Sequence, residues 1–179
     1  MKNILKPWHT FSSKIVYKNS FITVIEDAVM KPDGTKGIYG YLKIPKTVGI
    51  VALDNLNRIY LCRQFRYVFQ EYSWEIPRGY VEKGEISKKA AIRELLEETG
   101  LSSRNIQSVG IMRPSIGILS ELTEIFLARN LIHRGLHNTD KEIDKIKKFE
   151  LTDILKMIRN NEIKDGVTIS ALLKVMHLF

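Results

Sequence analysis

Cysteine is nearly absent from this chain of 179 residues: Cys62 stands alone, so no intrachain disulfide can form and no second thiol can resolve an oxidised one. Histidine is scarce, and His9, His133, His137 and His177 do not fall at metal-ligand spacings, which assigns them to the surface. Apolar runs are short. None approaches the roughly 18 residues of a membrane span, and residues 1–8 lack the continuous apolar stretch of a signal peptide, so a cytoplasmic protein is expected. Internal repeats and low-complexity tracts are missing too. Acidic residues are the minority, 20 against 28 Lys and Arg, for a net charge of +8. Residues 1–46 hold eight lysines and three acids, a balance of +5, against +1 for residues 47–130 and +2 for residues 131–179. That excess suits an anionic ligand, and equally a set of solvated strand edges protected from aggregation; nucleic acid is the less favoured partner.

What is present suffices for a core. Hydrophobic residues make up 44% and charged residues 27%, the balance of a folded domain with an extension. Residues 14–18, 21–25 and 37–44 read as antiparallel strands, with a turn at Lys31, Pro32, Asp33 and Gly34 before the third. Their apolar surface is too small to stand alone, so this segment is expected to pack on the main domain or on another subunit. Residues 48–53 and 58–64 read as a buried hairpin of a central mixed sheet, with Cys62 inside it. Further strands are expected at 106–112, 123–128 and 145–149, and a polar loop at 133–140. Two helices close the chain: one starts at Thr152 and Asp153 and carries Ile154, Leu155 and Ile158, and one over 165–176 turns Ile169, Leu172, Leu173 and Met176 inward.

Residues 79–101 carry the chemistry. Ser87 is placed to cap a helix and Gly100 to stop it. On that helix Glu94, Glu97 and Glu98 stand at i, i+3 and i+4, so three carboxylates leave neighbouring points of one face. Two like charges ~4 Å apart repel by about 4 kcal/mol at an effective dielectric near 20. A divalent cation relieves this, and an all-oxygen ligand set favours Mg²⁺, or Mn²⁺, over zinc. Arg93, one turn before Glu97, can pair with it, and Glu85 can take the same guanidinium.

Gly79, five residues, Glu85, seven residues, then Arg93, Glu94, Leu95, Glu97, Glu98, Gly100 and Leu101 resemble the Nudix box at every defined position. The resemblance implies a hydrolase for nucleoside diphosphates linked to another moiety, working with a divalent metal. It implies Glu94 and Glu98 as principal metal ligands, Glu97 as a supporting one, Arg93 as the group that orients the glutamates, and the Arg78 carbonyl as a further ligand. Residues 63–66, with Gln64 and Arg66, and residues 74–79, with Trp74, Glu75, Pro77 and Arg78, are similar to the ADP-ribose pyrophosphatase branch. There Arg66 is expected to grip the diphosphate, with Glu75 and Arg78 in the substrate site. In the same branch a β segment like this one makes the dimer, and its aromatics stack on adenine, which points to Phe21 and Tyr39.

Pro114, Ser115, Gly117 and Glu121 resemble that branch's substrate loop, with Ile116 in place of the usual proline. Glu142 fits the catalytic glutamate of a later loop, with Asp140 and Asp144 as rivals. The expected fold is therefore an α/β sandwich with a mixed sheet over residues 47–179, preceded by an antiparallel β extension over residues 1–46 that mediates dimerisation. The expected reaction is Mg²⁺-dependent hydrolysis of ADP-ribose to AMP and ribose 5-phosphate. Another sugar nucleotide, a dinucleoside polyphosphate or an RNA 5′ end are the alternative substrates, and a nucleotide-binding module without catalysis is the alternative class.

Overall fold

A computed structural model describes residues 7–135 and 142–179. In chain order the elements are β1 (His9–Lys18), β2 (Thr23–Met30), β3 (Lys36–Lys43), β4 (Thr47–Leu53), β5 (Ile59–Arg66), β6 (Glu71–Glu75), β7 (Arg78–Tyr80), α1 (Ser87–Thr99), β8 (Leu101–Ser102), β9 (Asn105–Met112), β10 (Thr123–Arg129), β11 (Ile132–His133), β12 (Ile143–Phe149), α2 (Leu151–Arg159) and α3 (Gly166–Val175). They fall into two compact units, Lys46–Pro114 with Leu122–Phe179, and the N-terminal strands as far as Pro45 with Ser115–Glu121.

The larger unit is built on β4, which is buried at every residue. Alternation of side chains along a strand sends Val48, Ile50 and Ala52 to one face, against Ala90, Ala91 and Leu95 of α1. Val51 and Leu53 go to the other, against Ile154 and Met157 of α2 and Val167, Ala171, Leu172 and Val175 of α3. Each Val, Leu, Ile or Met side chain among these contributes about 1.5–3 kcal/mol on burial. Helices thus cover both faces of a sheet ordered β12-β5-β4-β10-β9, with β6 on β5 and β7 on β4. β10 runs parallel to β4 and the other pairs run antiparallel, which makes the sheet mixed as expected. Among the described residues no helix is long and apolar enough to cross a membrane.

The smaller unit is a meander, β1-β2-β3, and Ser115–Glu121 runs along its third strand. Leu42 N–H donates to Ile118 O and Ser120 N–H to Leu42 O, each at 2.9 Å. The Ser120 hydroxyl takes Ile44 N–H at 2.9 Å.

Local chemistry revises several expectations. Phe21 and Ile22 lie outside the strand, because Asn19 Oδ1 accepts both of their amides (2.8 and 2.7 Å) and turns the chain there. β2 then continues to Met30, since β1 and β3 both pair with it that far. Ser87 does not cap α1: the cap position falls to Ile86, which makes no side-chain bond, and the Ser87 hydroxyl pairs with Glu124 instead. Gly100 does end the helix, at φ 68° with its N–H on Leu96 O. In α3 the buried stripe is Thr168, Ala171, Leu172 and Val175, which leaves Leu173 exposed.

Candidate active site

Arg93 is the hub of α1's polar face. Its Nη1 lies 2.7 Å from Glu94 Oε1 and 3.0 Å from Glu97 Oε2, and Nε and Nη2 reach Glu85 at 3.2 and 3.0 Å. Nη2 also donates to Tyr80 O at 2.8 Å, which ties helix to strand. Three carboxylates hold this guanidinium charged, with Glu85 the strongest influence, and Glu85 in turn is held below the usual carboxylate range, first by Arg93. Glu94 goes the other way. Burial raises it, and Arg93 only partly offsets that.

The segment before the helix completes the face. Glu98 is buried and accepts Arg78 N–H at 3.2 Å. Gly79 leaves the gap that the Glu94 carboxylate fills, since a Cβ there would fall on its atoms. Glu94 and Glu98 thus meet β7 at consecutive residues, while Glu97 lies further out toward solvent. Among the described residues no group of three acids or histidines is gathered as a finished metal cluster. The donor set is oxygen only, and one of its carboxylates is destabilised by burial; both properties fit a hard divalent cation held by Glu94 and Glu98.

Arg66, at the end of β5, makes a two-pronged ion pair with Glu75, through Nε at 2.8 Å and through Nη2. Glu75 is buried and spends both oxygens on this pair, so it orients Arg66. Arg66, Glu75 and Arg78 line a cavity of about 450 Å³ with Phe69, Ser73, Lys164 and Asp165. Phe69 and Ser73 were not read as functional from sequence; Asp165, at the expected start of the closing helix, caps α3 by accepting Thr168 N–H at 2.8 Å.

The three candidate bases part company. Asp140 lies outside the described residues. The Asp144 carboxylate takes the Arg63 guanidinium, through Nε at 2.7 Å and through Nη2. Glu142 is exposed just before β12, whose first residue pairs with Gln64, two positions from Arg66.

In the smaller unit Tyr39 donates its hydroxyl to Gly117 O at 2.7 Å, and Trp8, which fits no sequence pattern, packs edge-on against its ring at 5.5 Å. Phe21 is 82% exposed. Tyr39 pairs with Asp27, and Phe21 precedes Thr23, which pairs with Lys43. At least four register positions, about 13 Å, therefore separate the two rings' strand positions, and one chain does not bring them together. Glu121 is half-buried at the end of the same strip that holds Ile116, which is 80% exposed.

Comparison with known proteins gives consistent matches. Residues 43–169 match the NUDIX domain and residues 8–42 the nucleoside diphosphate sugar hydrolase N-terminal domain. The chain is 27% identical to the ADP-ribose pyrophosphatase of Bacillus subtilis, over 91% of this chain and 89% of that one. It is 26% identical to the CMP-5′-(N-acetyl-N-hydroxy-3-aminopropyl)phosphonate hydrolase of Streptomyces rubellomurinus, over 96% and 83%. A crystal structure of an ADP compounds hydrolase shares the fold with a TM-score of 0.85 at 20% identity, over 96% of this chain and 93% of that one.

Proposed function

The chain belongs to the Nudix family of hydrolases, and from that premise we propose that it hydrolyses the diphosphate linkage of a nucleoside diphosphate sugar, with ADP-ribose, split to AMP and ribose 5-phosphate, as the favoured substrate. The observation that carries this reading is the α1 face, where Arg93 gathers Glu85, Glu94 and Glu97 while the Arg78 amide holds Glu98. The N-terminal match and the B. subtilis relative favour the sugar nucleotide.

Glu94 and Glu98, with support from Glu97 and the Arg78 carbonyl, are assigned to Mg²⁺, with Mn²⁺ as a substitute. A divalent ion held there would supply charge to neutralise phosphate oxygens and to acidify a water. The chain's own residues do the rest. Arg66, pre-oriented by Glu75, offers its guanidinium to phosphate oxygens. Glu142 takes the proton of the attacking water, as a carboxylate outside the metal-held set can do. Phe21 and Tyr39 stack on adenine, each serving a different protomer's site, because one chain separates them. That assignment requires a homodimer built through the β extension, in a protein we place in the cytoplasm.

Ile116 favours a second reading within the same reaction class. Without the usual proline, the strip over residues 115–121 fits a sugar nucleotide other than ADP-ribose, and the Streptomyces relative acts on a CMP-linked phosphonate. Both readings are tested by hydrolysis of ADP-ribose, ADP-mannose, GDP-mannose, a CMP-linked phosphonate, diadenosine polyphosphates and triphosphorylated RNA with Mg²⁺. ADP-ribose should lead. Glu98→Gln should lower turnover by ~10³-fold or more in a folded protein, and activity within a few-fold of wild type would refute the metal assignment.

A further inference from the structure

Between β6 and β7 the chain leaves the ladder for Ile76 and Pro77. Proline has no amide hydrogen, and the amides on either side of it go to side chains of two different helices. Ile76 N–H donates to Thr168 Oγ1 of α3 at 3.1 Å, and Arg78 N–H donates to Glu98 of α1 at 3.2 Å. Pro77 O is fixed from the sheet by Ile50 N–H at 2.9 Å. Thr168 is fully buried, and its hydroxyl donates to Asp165 Oδ2 at 2.7 Å, which leaves its lone pairs for Ile76. The same carboxylate oxygen accepts Thr168 N–H at 2.8 Å, and Oδ1 lies 3.7 Å from the Arg78 guanidinium.

We propose that Asp165 and Thr168 are positioning residues of the hydrolytic site: from α3 they set the short crossing over residues 76–78, and through the Arg78 amide they fix the carboxylate of Glu98. The proposal rests on reading Glu98 as a metal ligand. A hydroxyl whose hydrogen is committed to a carboxylate has a fixed acceptor direction, so the Ile76 amide has one seat. Valine at 168 would keep the shape and leave that buried amide without an acceptor. The crossing would then shift, and Glu98 with it.

The test uses the full-length protein with ADP-ribose and Mn²⁺. A displacement of ~1 Å costs on the order of 10²-fold in rate, so Thr168→Val should lower kcat by about 10- to 100-fold with little change in KM. It should also weaken Mn²⁺ binding by about tenfold by electron paramagnetic resonance, and Thr168→Ser should restore both. In wild-type protein, whatever the variants' folding, Mn²⁺ should slow hydrogen exchange at the Ile76 and Arg78 amides together. A folded Thr168→Val protein that binds Mn²⁺ and turns over like wild type overturns the proposal. So does protection of Arg78 with Ile76 unchanged. Glu98→Gln binding Mn²⁺ as tightly as wild type would remove the metal reading itself, and this proposal with it.

Discussion

β4 and β1 are both rich in strand-forming residues and end in opposite surroundings. All seven residues of β4 are buried, and all ten of β1 are exposed, including Phe11, Ile15, Val16 and Tyr17. With every one of its positions exposed, β1 has no covered side. The larger unit closes its own core. The smaller one leaves apolar side chains in water, a pattern in keeping with the dimer proposed above.

Substitution at equivalent apolar positions tests this contrast most strongly. Leu61 is wholly buried, and Leu61→Ala should cost about 2–5 kcal/mol in urea denaturation. Ile15→Asp should change the stability of an isolated chain by only about 0.5 kcal/mol, yet raise the dissociation constant of the proposed dimer about tenfold or more in sedimentation velocity. An undisturbed dimer would show that β1 is not the covered strand. Phe21→Ala comes next. It should leave stability alone and raise KM for adenine nucleotides by about fivefold, in line with the loss of one base stack; an equal rise for every nucleotide would count against stacking.

The smallest effect concerns a charge in the larger unit. Burial alone would raise Asp54, but Arg58 and the amides of Arg58 and Leu56 outweigh it and bring the carboxyl from 3.8 to about 2. A depressed pKa gives stability that is present above the ordinary value and lost as pH falls through the folded one. The stability gap between wild type and Asp54→Asn should therefore shrink between pH 4 and pH 2, and a constant gap would deny the linkage.

What was legible in the sequence was whatever local chemistry decides. Glycine at a left-handed position ends α1, and the turn at Lys31–Gly34 forms with Gly34 at φ 82°. The i, i+3, i+4 carboxylates and their shared arginine follow from helix geometry alone. What was not legible depends on contacts distant in the chain. Ser87 has the chemistry of a cap, and Glu124 claims it instead. Asp144 and Glu142 are indistinguishable as letters, and only the fold gives Asp144 to Arg63. Trp8 belongs to no period, and its contact with Tyr39 comes from the meander's pairing. The Thr168 bond to Ile76 joins residues 92 positions apart.

Gly79 couples the strand to the helix. Because the Glu94 carboxylate occupies the space of its missing side chain, a substitution at the first position of the box is felt by a carboxylate on α1. A methyl group at residue 79 would displace the Glu94 carboxylate, the free end of a flexible side chain that can swing aside while strand and helix stay where they are.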